Sequence, residues 1–305
     1  MSDAEDELDC AQEGVLLRPL ELATIVVSGS ERVSWLNGLV TCDLSKKAAG
    51  DAAYGLKVQK TGKIEAELWI LLGPEDALVG VRRDKAAELL EVFDRHLVME
   101  DAEVALEEAP RSWWIAVGRR ASDASSRARD AGARAGLTMR GGLPTAVITV
   151  AGDGVAVRER VLADCEPALV ATEPGWTRVR VEHGIPEWGV DFDDKHFPQE
   201  ASLEMDAVSF TKGCYLGQEV VFMLEKRGHV KKRLVQLVLE GDTELGATIE
   251  SLEGEPQGQV TSVANRPARS LALGWVKYKQ AADDTELRVQ GVTARVTALL
   301  AVRPS

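Results

Sequence analysis

Cysteine is scarce in this sequence, and its spacing excludes the common cysteine-based sites. The four cysteines are Cys10, Cys42, Cys165 and Cys214, and no two of them form a C-x-x-C pair. Zinc knuckles, thioredoxin-like redox pairs and complete iron–sulfur ligand sets all need clustered thiolates. We therefore predict no metal site within this chain and a compartment that keeps thiols reduced.

Positive charge and long apolar runs are also in short supply. The 36 lysines and arginines are outnumbered by 49 aspartates and glutamates, which gives a net charge of −13. Broad nucleic-acid binding needs a surface that neutralises phosphates, so direct nucleic-acid binding is not expected. No stretch approaches the roughly 20 apolar residues that cross a bilayer, and the acidic residues 1–13 match neither a secretory signal nor a transit peptide. These patterns predict a cytoplasmic protein without a membrane partner.

The chain does have enough apolar sequence for several cores. Its 305 residues are 45% hydrophobic, which favours two or three domains. In the first half, Ser28 and Glu31 match a capping box ahead of a helix predicted over Ser30–Val40. Ile64–Leu72 and Ala77–Val81 have the pattern of two strands that form a hairpin.

The rest of the chain continues this mixture and then changes character. Strand patterns over Trp113–Val117 and Thr145–Val150 flank an alanine-rich helix predicted from Ser122 to Ala135. From Arg233 onward, short apolar runs are separated by glycines, a pattern typical of a small β-barrel or sandwich. These patterns predict an α+β fold with a first half at 15–108, a second half at 109–230 and a C-terminal barrel at 231–305.

The segment Ser209–Val221 is the most informative candidate motif. Two glycines flank Cys214, and the apolar run from Val220 predicts a helix directly after them. A helix N-terminus and the ammonium of Lys212 would both favour the thiolate, so we predict a lowered thiol pKa and thiol chemistry at Cys214. The alternative is that Cys214 is a small buried hydrophobic residue beside a turn.

A cluster of cations follows this segment in an otherwise acidic chain. Its members are Lys226, Arg227, Lys231, Lys232 and Arg233. Such a cluster fits a site for carboxylates or phosphates as well as it fits a solvated surface, and charge alone does not separate the two interpretations.

A second segment, residues 178–191, places two charged residues near the end of a predicted helix. Gly184 and Pro186 are typical of a helix C-terminus. Arg180 and Glu182 would grip a heterocycle there, because a carboxylate accepts two parallel N–H bonds from an aminopyrimidine-like edge. An exposed charge pair is the alternative, and spacing alone favours it.

A third segment, residues 59–68, is a glycine turn that enters a strand. On a regular strand Glu65 and Glu67 share one face, as a general-base pair would require. A solvent-facing strand edge is the commoner arrangement, and we favour it for these two carboxylates.

Together these segments resemble a known family. Residues Lys212–Glu219 match K-G-C-Y-x-G-Q-E, the signature of the YgfZ branch of the folate-binding family that also contains the glycine-cleavage aminomethyltransferases. Supporting matches are residues 27–44, the turn Thr61–Ile64, the pattern Arg180-x-Glu182-x-Gly184-Ile185-Pro186, and Arg227-Gly228. The resemblance extends from near residue 15 to the C-terminus.

The resemblance implies a fold and a ligand. The implied fold is two ferredoxin-like, aminomethyltransferase-type α+β domains, interleaved in sequence, which surround a central cavity together with a C-terminal β-barrel. The cavity would bind tetrahydrofolate or a one-carbon derivative. Carried over onto this sequence, the catalytic residues are Cys214 and Lys212, and the folate-binding residues are Arg180, Glu182, Lys212, Tyr215, Gln218 and Arg227.

The resemblance also implies a role in the assembly or repair of iron–sulfur proteins, with effects on iron–sulfur-dependent tRNA modification. The expected partners are a folate and iron–sulfur proteins or their assembly factors. The chain departs from the family at two places. Aminomethyltransferases carry an aspartate pair where this chain has Ala66-Glu67, which disfavours aminomethyl transfer. Phe222-Met223 stand where the family often has a small residue and an arginine, so a cation that would contact the ligand is missing.

Three other functions remain open from the sequence. The first is a one-carbon transferase that uses Glu65 or Glu67. The second is a folate-sensing module that docks a partner through its barrel without chemistry. The third is a cysteine hydrolase, whose Cys214 would pair with His183, His196 or His229.

Overall fold

The computed structural model describes residues 3–226, 230–266 and 269–297. In this part of the chain, the helices are α1 (Asp3–Glu13), α2 (Arg32–Asn37), α3 (Ala86–Asp94), α4 (Ala121–Asp130), α5 (Val155–Asp164), α6 (Glu173–Glu182), α7 (Glu204–Ala207) and α8 (Gln218–Lys226). Every helix described is too short or too polar to span a bilayer.

The first sheet has the strand order β3-β4-β5-β2-β6 and is antiparallel throughout. Its strands are β2 (Leu22–Ser28), β3 (Ala52–Val58), β4 (Ile64–Leu72), β5 (Asp76–Arg82) and β6 (Glu103–Leu106), which follow β1 (Val15–Leu20) in the chain. The hairpin predicted from β4 and β5 is confirmed.

The second sheet has the order β10-β1-β7-β9-β8, with β1 and β10 parallel. Its later strands are β7 (Arg111–Val117), β8 (Arg134–Arg140), β9 (Leu143–Ala151) and β10 (Ala168–Val170). β1 therefore pairs with strands from much later in the chain, while β2, which follows it directly, belongs to the first sheet. The numerical boundaries at 108/109 and 230/231 stay predictions.

The two sheets face each other across one shared core. This core takes Trp69 and Leu71 from β4, Trp113 and Ile115 from β7, and Trp176 from α6. Smaller cores fill the outer faces, where α2 and α3 cover the first sheet and α4 and α5 cover the second. The mixed α+β architecture expected from the sequence is thus confirmed.

The C-terminal part forms a closed barrel with the order β11-β14-β13-β12-β15-β16. Its strands are β11 (Lys232–Leu239), β12 (Thr248–Glu250), β13 (Pro256–Ala264), β14 (Ser270–Lys277), β15 (Glu286–Val289) and β16 (Val292–Thr297). The predicted barrel is confirmed. It meets the rest of the molecule at α6, where Gln236 Nε2 donates to the carbonyl of Val181 at 2.6 Å.

Two local predictions are wrong for identifiable reasons. α2 begins at Arg32, and its N-cap Glu31 makes no side-chain cap bond, because that carboxylate accepts instead from the backbone N–H of Asp101 at 2.7 Å. The alanine-rich helix ends at Asp130, because Gly132 turns the chain at φ 86° and β8 starts at Arg134.

Candidate functional site

A cavity of about 380 Å³ is lined by residues of both sheets and of α6. The junction between β1 and β2 contributes Leu20 and Leu22, and the turn after α6 contributes Ile185 and Pro186. This volume falls within the usual range for small-molecule sites. The helix end predicted at Gly184 is confirmed, with that glycine at φ 61°, and it places the turn against the cavity.

Three indole rings line this cavity, although aromatic residues make up only 5% of the chain. They are Trp69 from β4, Trp176 from α6 and Trp188 from the turn that follows α6. Trp188 packs edge-on against Phe192, with the ring centroids 5.4 Å apart. Rigid aromatic faces of this kind favour a flat ligand.

A carboxylate and a guanidinium lie side by side in the wall, where Arg140 Nη2 is 3.9 Å from Glu67 Oε1. The guanidinium of Arg140 also stacks 3.7 Å above the ring of Tyr54 and donates to Asp206 at 2.9 Å. The hydroxyl of Tyr54 donates to Glu67 at 2.7 Å. We call Glu67, Arg140, Tyr54 and Asp206 the charged wall. Burial raises the pKa of Glu67, while Arg140 and the Tyr54 hydroxyl oppose the rise.

The two carboxylates of β4 point to opposite faces of the first sheet, so the prediction that they share one face is wrong. Glu67 bonds to Tyr54, but Glu65 accepts from Lys57 at 2.9 Å, and residues 54 and 57 lie on opposite faces of β3. The cause is an irregular register between Lys57 and Val58 of β3, opposite Ile64 and Ala66. β4 also lies between β3 and β5, so it is not the sheet edge favoured from the sequence.

Arg180 is enclosed by protein groups. Its side chain is buried, with Nη1 2.6 Å from Asp191, Nη2 donating to Ser262 at 2.8 Å, and Nε 2.9 Å from Glu187. These contacts tie α6 to the turn that follows it and to β13 of the barrel. The predicted folate contact of Arg180 stays a prediction, and the observed contacts place it behind Glu187, which lines the cavity.

Glu182 lies beside the barrel. One carboxylate oxygen is 3.4 Å from Nη1 of Arg266 and is buried without a hydrogen-bond partner among the described residues. Such an unsatisfied oxygen fits a ligand donor, although the residues that line the 380 Å³ cavity do not include Glu182.

The signature segment packs against the end of α2 and the loop that follows it. The ammonium of Lys212 donates to the carbonyls of Asn37 at 2.6 Å, Val40 at 2.8 Å and Cys42 at 2.7 Å. Burial lowers the pKa of Lys212 to about 8, so the side chain is still cationic at pH 7. The cysteine that interacts electrostatically with this ammonium is Cys42, whereas the sequence suggested Cys214.

Cys214 is exposed, whereas Cys10, Cys42 and Cys165 are buried and have pKa values raised by burial. The alternative of a buried hydrophobic cysteine is therefore wrong for Cys214. A helix does follow, because α8 begins four residues later at Gln218. The turn before it needs Gly217, at φ 84°, where a Cβ would lie 2.4 Å from the carbonyl oxygen of Gln59.

The other predicted ligand residues are distributed around this segment. Tyr215 is buried in the shared core, and its hydroxyl has no hydrogen-bond partner within the described ranges. Gln218 Nε2 lies 3.5 Å from the carbonyl of Gly213. Arg227 lies outside the described residues, so its predicted folate contact stays a prediction.

The members of the cation cluster also lie in different surroundings. Lys232 lies 2.9 Å from His196 and over the ring of Trp275, and Arg233 bonds to Glu204. These two cations join the barrel to His196 and to the first residue of α7. Lys226 and Lys231 are exposed.

Comparisons with known proteins found relatives in sequence and in fold. The CAF17 C-terminal beta-barrel domain matches residues 231–301. A tRNA-modifying protein YgfZ from Aliivibrio fischeri is 25% identical over 76% of this chain and 74% of its own length. An iron-sulfur cluster assembly factor IBA57 homolog from Phaeosphaeria nodorum is 26% identical over 69% of this chain and 52% of its own length.

Among solved structures, the glycine cleavage system aminomethyltransferase T from Bartonella henselae superposes with a TM-score of 0.79. The match covers 97% of this chain and 88% of that protein at 18% identity. The likeness shows an aminomethyltransferase-type fold. In sequence, the chain is similar to YgfZ tRNA-modifying proteins over about three quarters of its length.

Within this aminomethyltransferase-type fold, the structure brings only part of the predicted site together. Lys212, Cys214 and Tyr215 lie on one continuous segment, as the sequence requires. The residues that line the cavity include none of the six predicted folate ligands nor Cys214, as far as the chain is described. Of the histidines suggested for a hydrolase, His196 bonds to Lys232 and Asp193, and His183 Nε2 is buried without a hydrogen-bond partner among the described residues. His229 lies outside the described residues, so the hydrolase pairing stays a prediction.

Sequence reasoning singled out Glu67, Ile185 and Pro186 but missed most of the other residues that line the cavity. Arg140, Trp69, Trp176 and Trp188 come from three elements and a turn that are far apart in the chain. The one usable signal was the tryptophan content, since 7 of the 15 aromatic residues are tryptophans and three of those line this cavity.

Proposed function

We propose that this protein binds a reduced folate in the 380 Å³ cavity and acts in the assembly or repair of iron–sulfur proteins. The observation that carries the proposal is the cavity itself, which combines three indole faces with a paired carboxylate and guanidinium. Few ligand classes need both a flat apolar surface and a charged hydrogen-bonding edge.

A pterin fits these groups chemically. Its aminopyrimidinone edge carries N–H donors that a carboxylate accepts in pairs, and Glu67 supplies that carboxylate. Its ring carbonyl accepts hydrogen bonds, and Arg140 supplies the donor. Trp69, which adjoins Glu67 on β4, offers a ring face for the bicycle. When bound, the folate would supply one-carbon or reducing chemistry, while these residues would hold and orient it.

The iron–sulfur part of the proposal is supported by the named relatives and by the exposed thiol. One relative is named as an iron-sulfur cluster assembly factor and another as a tRNA-modifying protein. An accessible cysteine on an anchored turn is suited to hold sulfur or a cluster fragment as cargo from a client protein. The thiol and the folate would then act from two faces of the same molecule.

Calorimetric titration with tetrahydrofolate tests the cavity. We expect Glu67→Gln to weaken binding by about tenfold to a hundredfold, the cost of losing hydrogen bonds to a charged group. Glu65→Gln is the matched control, because Glu65 lies on the same strand but faces the other way. Wild-type protein without detectable binding, or equal affinity in both variants and wild type, would overturn the proposal.

A third variant separates this arrangement from the one predicted by motif. If Glu182→Gln abolishes binding while Glu67→Gln does not, the folate occupies the space beside Arg266 rather than the cavity, and the assignment to Glu67 and Arg140 fails.

A further inference from the structure

Residues 37–42, from the last residue of α2 to Cys42, present a row of carbonyl acceptors to residues 209–216. We call residues 209–216 the signature turn. Five of the six carbonyls of residues 37–42 accept hydrogen bonds from this turn, namely those of Asn37, Gly38, Val40, Thr41 and Cys42. We call residues 37–42 the acceptor strip.

Two of these bonds come from the backbone at either end of the turn. The N–H of Ser209 donates to Thr41 at 2.9 Å, and the N–H of Leu216 donates to Gly38 at 3.0 Å. The other three come from a single ammonium, that of Lys212. Lys212 therefore supplies most of the contacts that dock the turn on the strip.

An ammonium has three protons to donate, and Lys212 has three acceptors within 2.8 Å. The side chain is only 9% exposed and does not line the 380 Å³ cavity. In this arrangement Lys212 has no proton left for a substrate and no access to a ligand in the cavity.

We infer that Lys212 is a positioning residue that fixes the turn presenting Cys214, and that it neither contacts folate nor takes part in the chemistry. Cys214 lies between Lys212 and Leu216, which are both anchored on the acceptor strip, while its own side chain is exposed. The backbone of Cys214 is thus held from both directions along the chain. The inference rests on the proposed role of Cys214 and extends it.

Hydrogen exchange of two variants tests the inference. Lys212→Met keeps the apolar stem and removes all three donors. Lys57→Met is the matched control, since Lys57 is also buried in this part of the molecule but donates to Val58 and Glu65. The readouts are the exchange rates of the Ser209 and Leu216 amides, compared with amides of β9 that report on global unfolding.

We expect Lys212→Met to speed exchange at Ser209 and Leu216 by about tenfold or more, with tetrahydrofolate affinity within about twofold of wild type. Lys57→Met should leave these two amides unchanged relative to β9. Unchanged exchange at both amides in folded Lys212→Met would overturn the inference. So would a loss of folate affinity with normal exchange, since that result marks a ligand.

Competitive acetylation of the wild-type protein keeps the inference testable if Lys212→Met does not fold. Lys195 is 81% exposed and serves as the internal reference. We expect Lys212 to be acetylated about a hundredfold more slowly than Lys195, because its amine reaches the reagent only when the turn opens by local unfolding. Equal acetylation rates for Lys212 and Lys195 would overturn the inference. The exchange and acetylation rates do not require folate to bind in the cavity, so the failure of that assignment stays distinguishable.

Discussion

The cavity and the signature turn use opposite means to place their functional groups. The cavity takes its side chains from β1, β2, β4, β5, β7, β8, α6 and the turn after α6, and its charges are held by other side chains. The turn takes its groups from one run of eight residues, and backbone carbonyls hold it. Three indole rings line the cavity, whereas the thiol of the turn is exposed.

This difference has energetic consequences. A buried charge that loses its partner leaves the other charge uncompensated, so substitutions in the charged wall affect folding as well as binding. An exposed thiol has little packing to lose, so its substitution affects chemistry alone. A substitution of the thiol in the turn should therefore change activity without changing stability. Substitutions in the cavity should change both.

The largest expected effect is in the turn. Cys214→Ser should reduce complementation of a bacterial strain lacking YgfZ to background, while the Tm and the tetrahydrofolate affinity stay at wild-type values. Cys165→Ala, at a buried cysteine, is the control and should lower the Tm but retain complementation. Full complementation by Cys214→Ser would remove the thiol from the proposed function.

The next effect is in the charged wall. Arg140→Met should lower the free energy of unfolding by about 3–5 kcal/mol, because it leaves Asp206 and Glu67 without their buried cation. Arg134→Met, on the same strand, removes an ion pair to Asp76 in which both side chains are 31% exposed, and should cost about 1 kcal/mol or less. Urea denaturation measures both. Equal costs for the two variants would mean that burial does not set the value of these pairs.

The smallest effect is a pH dependence confined to the cavity. The pKa of Glu67 is raised above its usual value of 4.5, so the folded state keeps this proton at pH values where the unfolded chain has lost it. Its contribution to stability therefore falls as pH rises through that window. Ligand donors need the charged carboxylate, so tetrahydrofolate affinity should change in the opposite direction and weaken as pH falls.

Titrations between pH 5 and 8 measure this dependence. The affinity should fall by up to about tenfold per pH unit below the folded pKa of Glu67. The dependence should disappear in Glu67→Gln and persist in Glu65→Gln. A pH profile that Glu67→Gln leaves intact would assign the titration to another group.

The same contrast explains what the sequence could and could not predict. The helix that follows Cys214, the helix end at Gly184 and the β4–β5 hairpin are local patterns, and each was predicted correctly. The opposite orientations of Glu65 and Glu67 depend on a register irregularity that no spacing rule signals. The cavity depends on pairings between distant strands, so its lining could not be read from any single segment.

The pairing of β1 also bears on how the chain is made. Val15 pairs with Ala168, so about 150 residues must be synthesised before this strand has both neighbours. At ribosomal rates of roughly 5–20 residues per second, that delay is on the order of ten to thirty seconds. All strands of the first sheet can pair during this time. The apolar residues of β1 stay without a complete sheet to bury them until β10 has been synthesised. Nascent chains of this protein thus carry an incomplete second sheet through most of their translation.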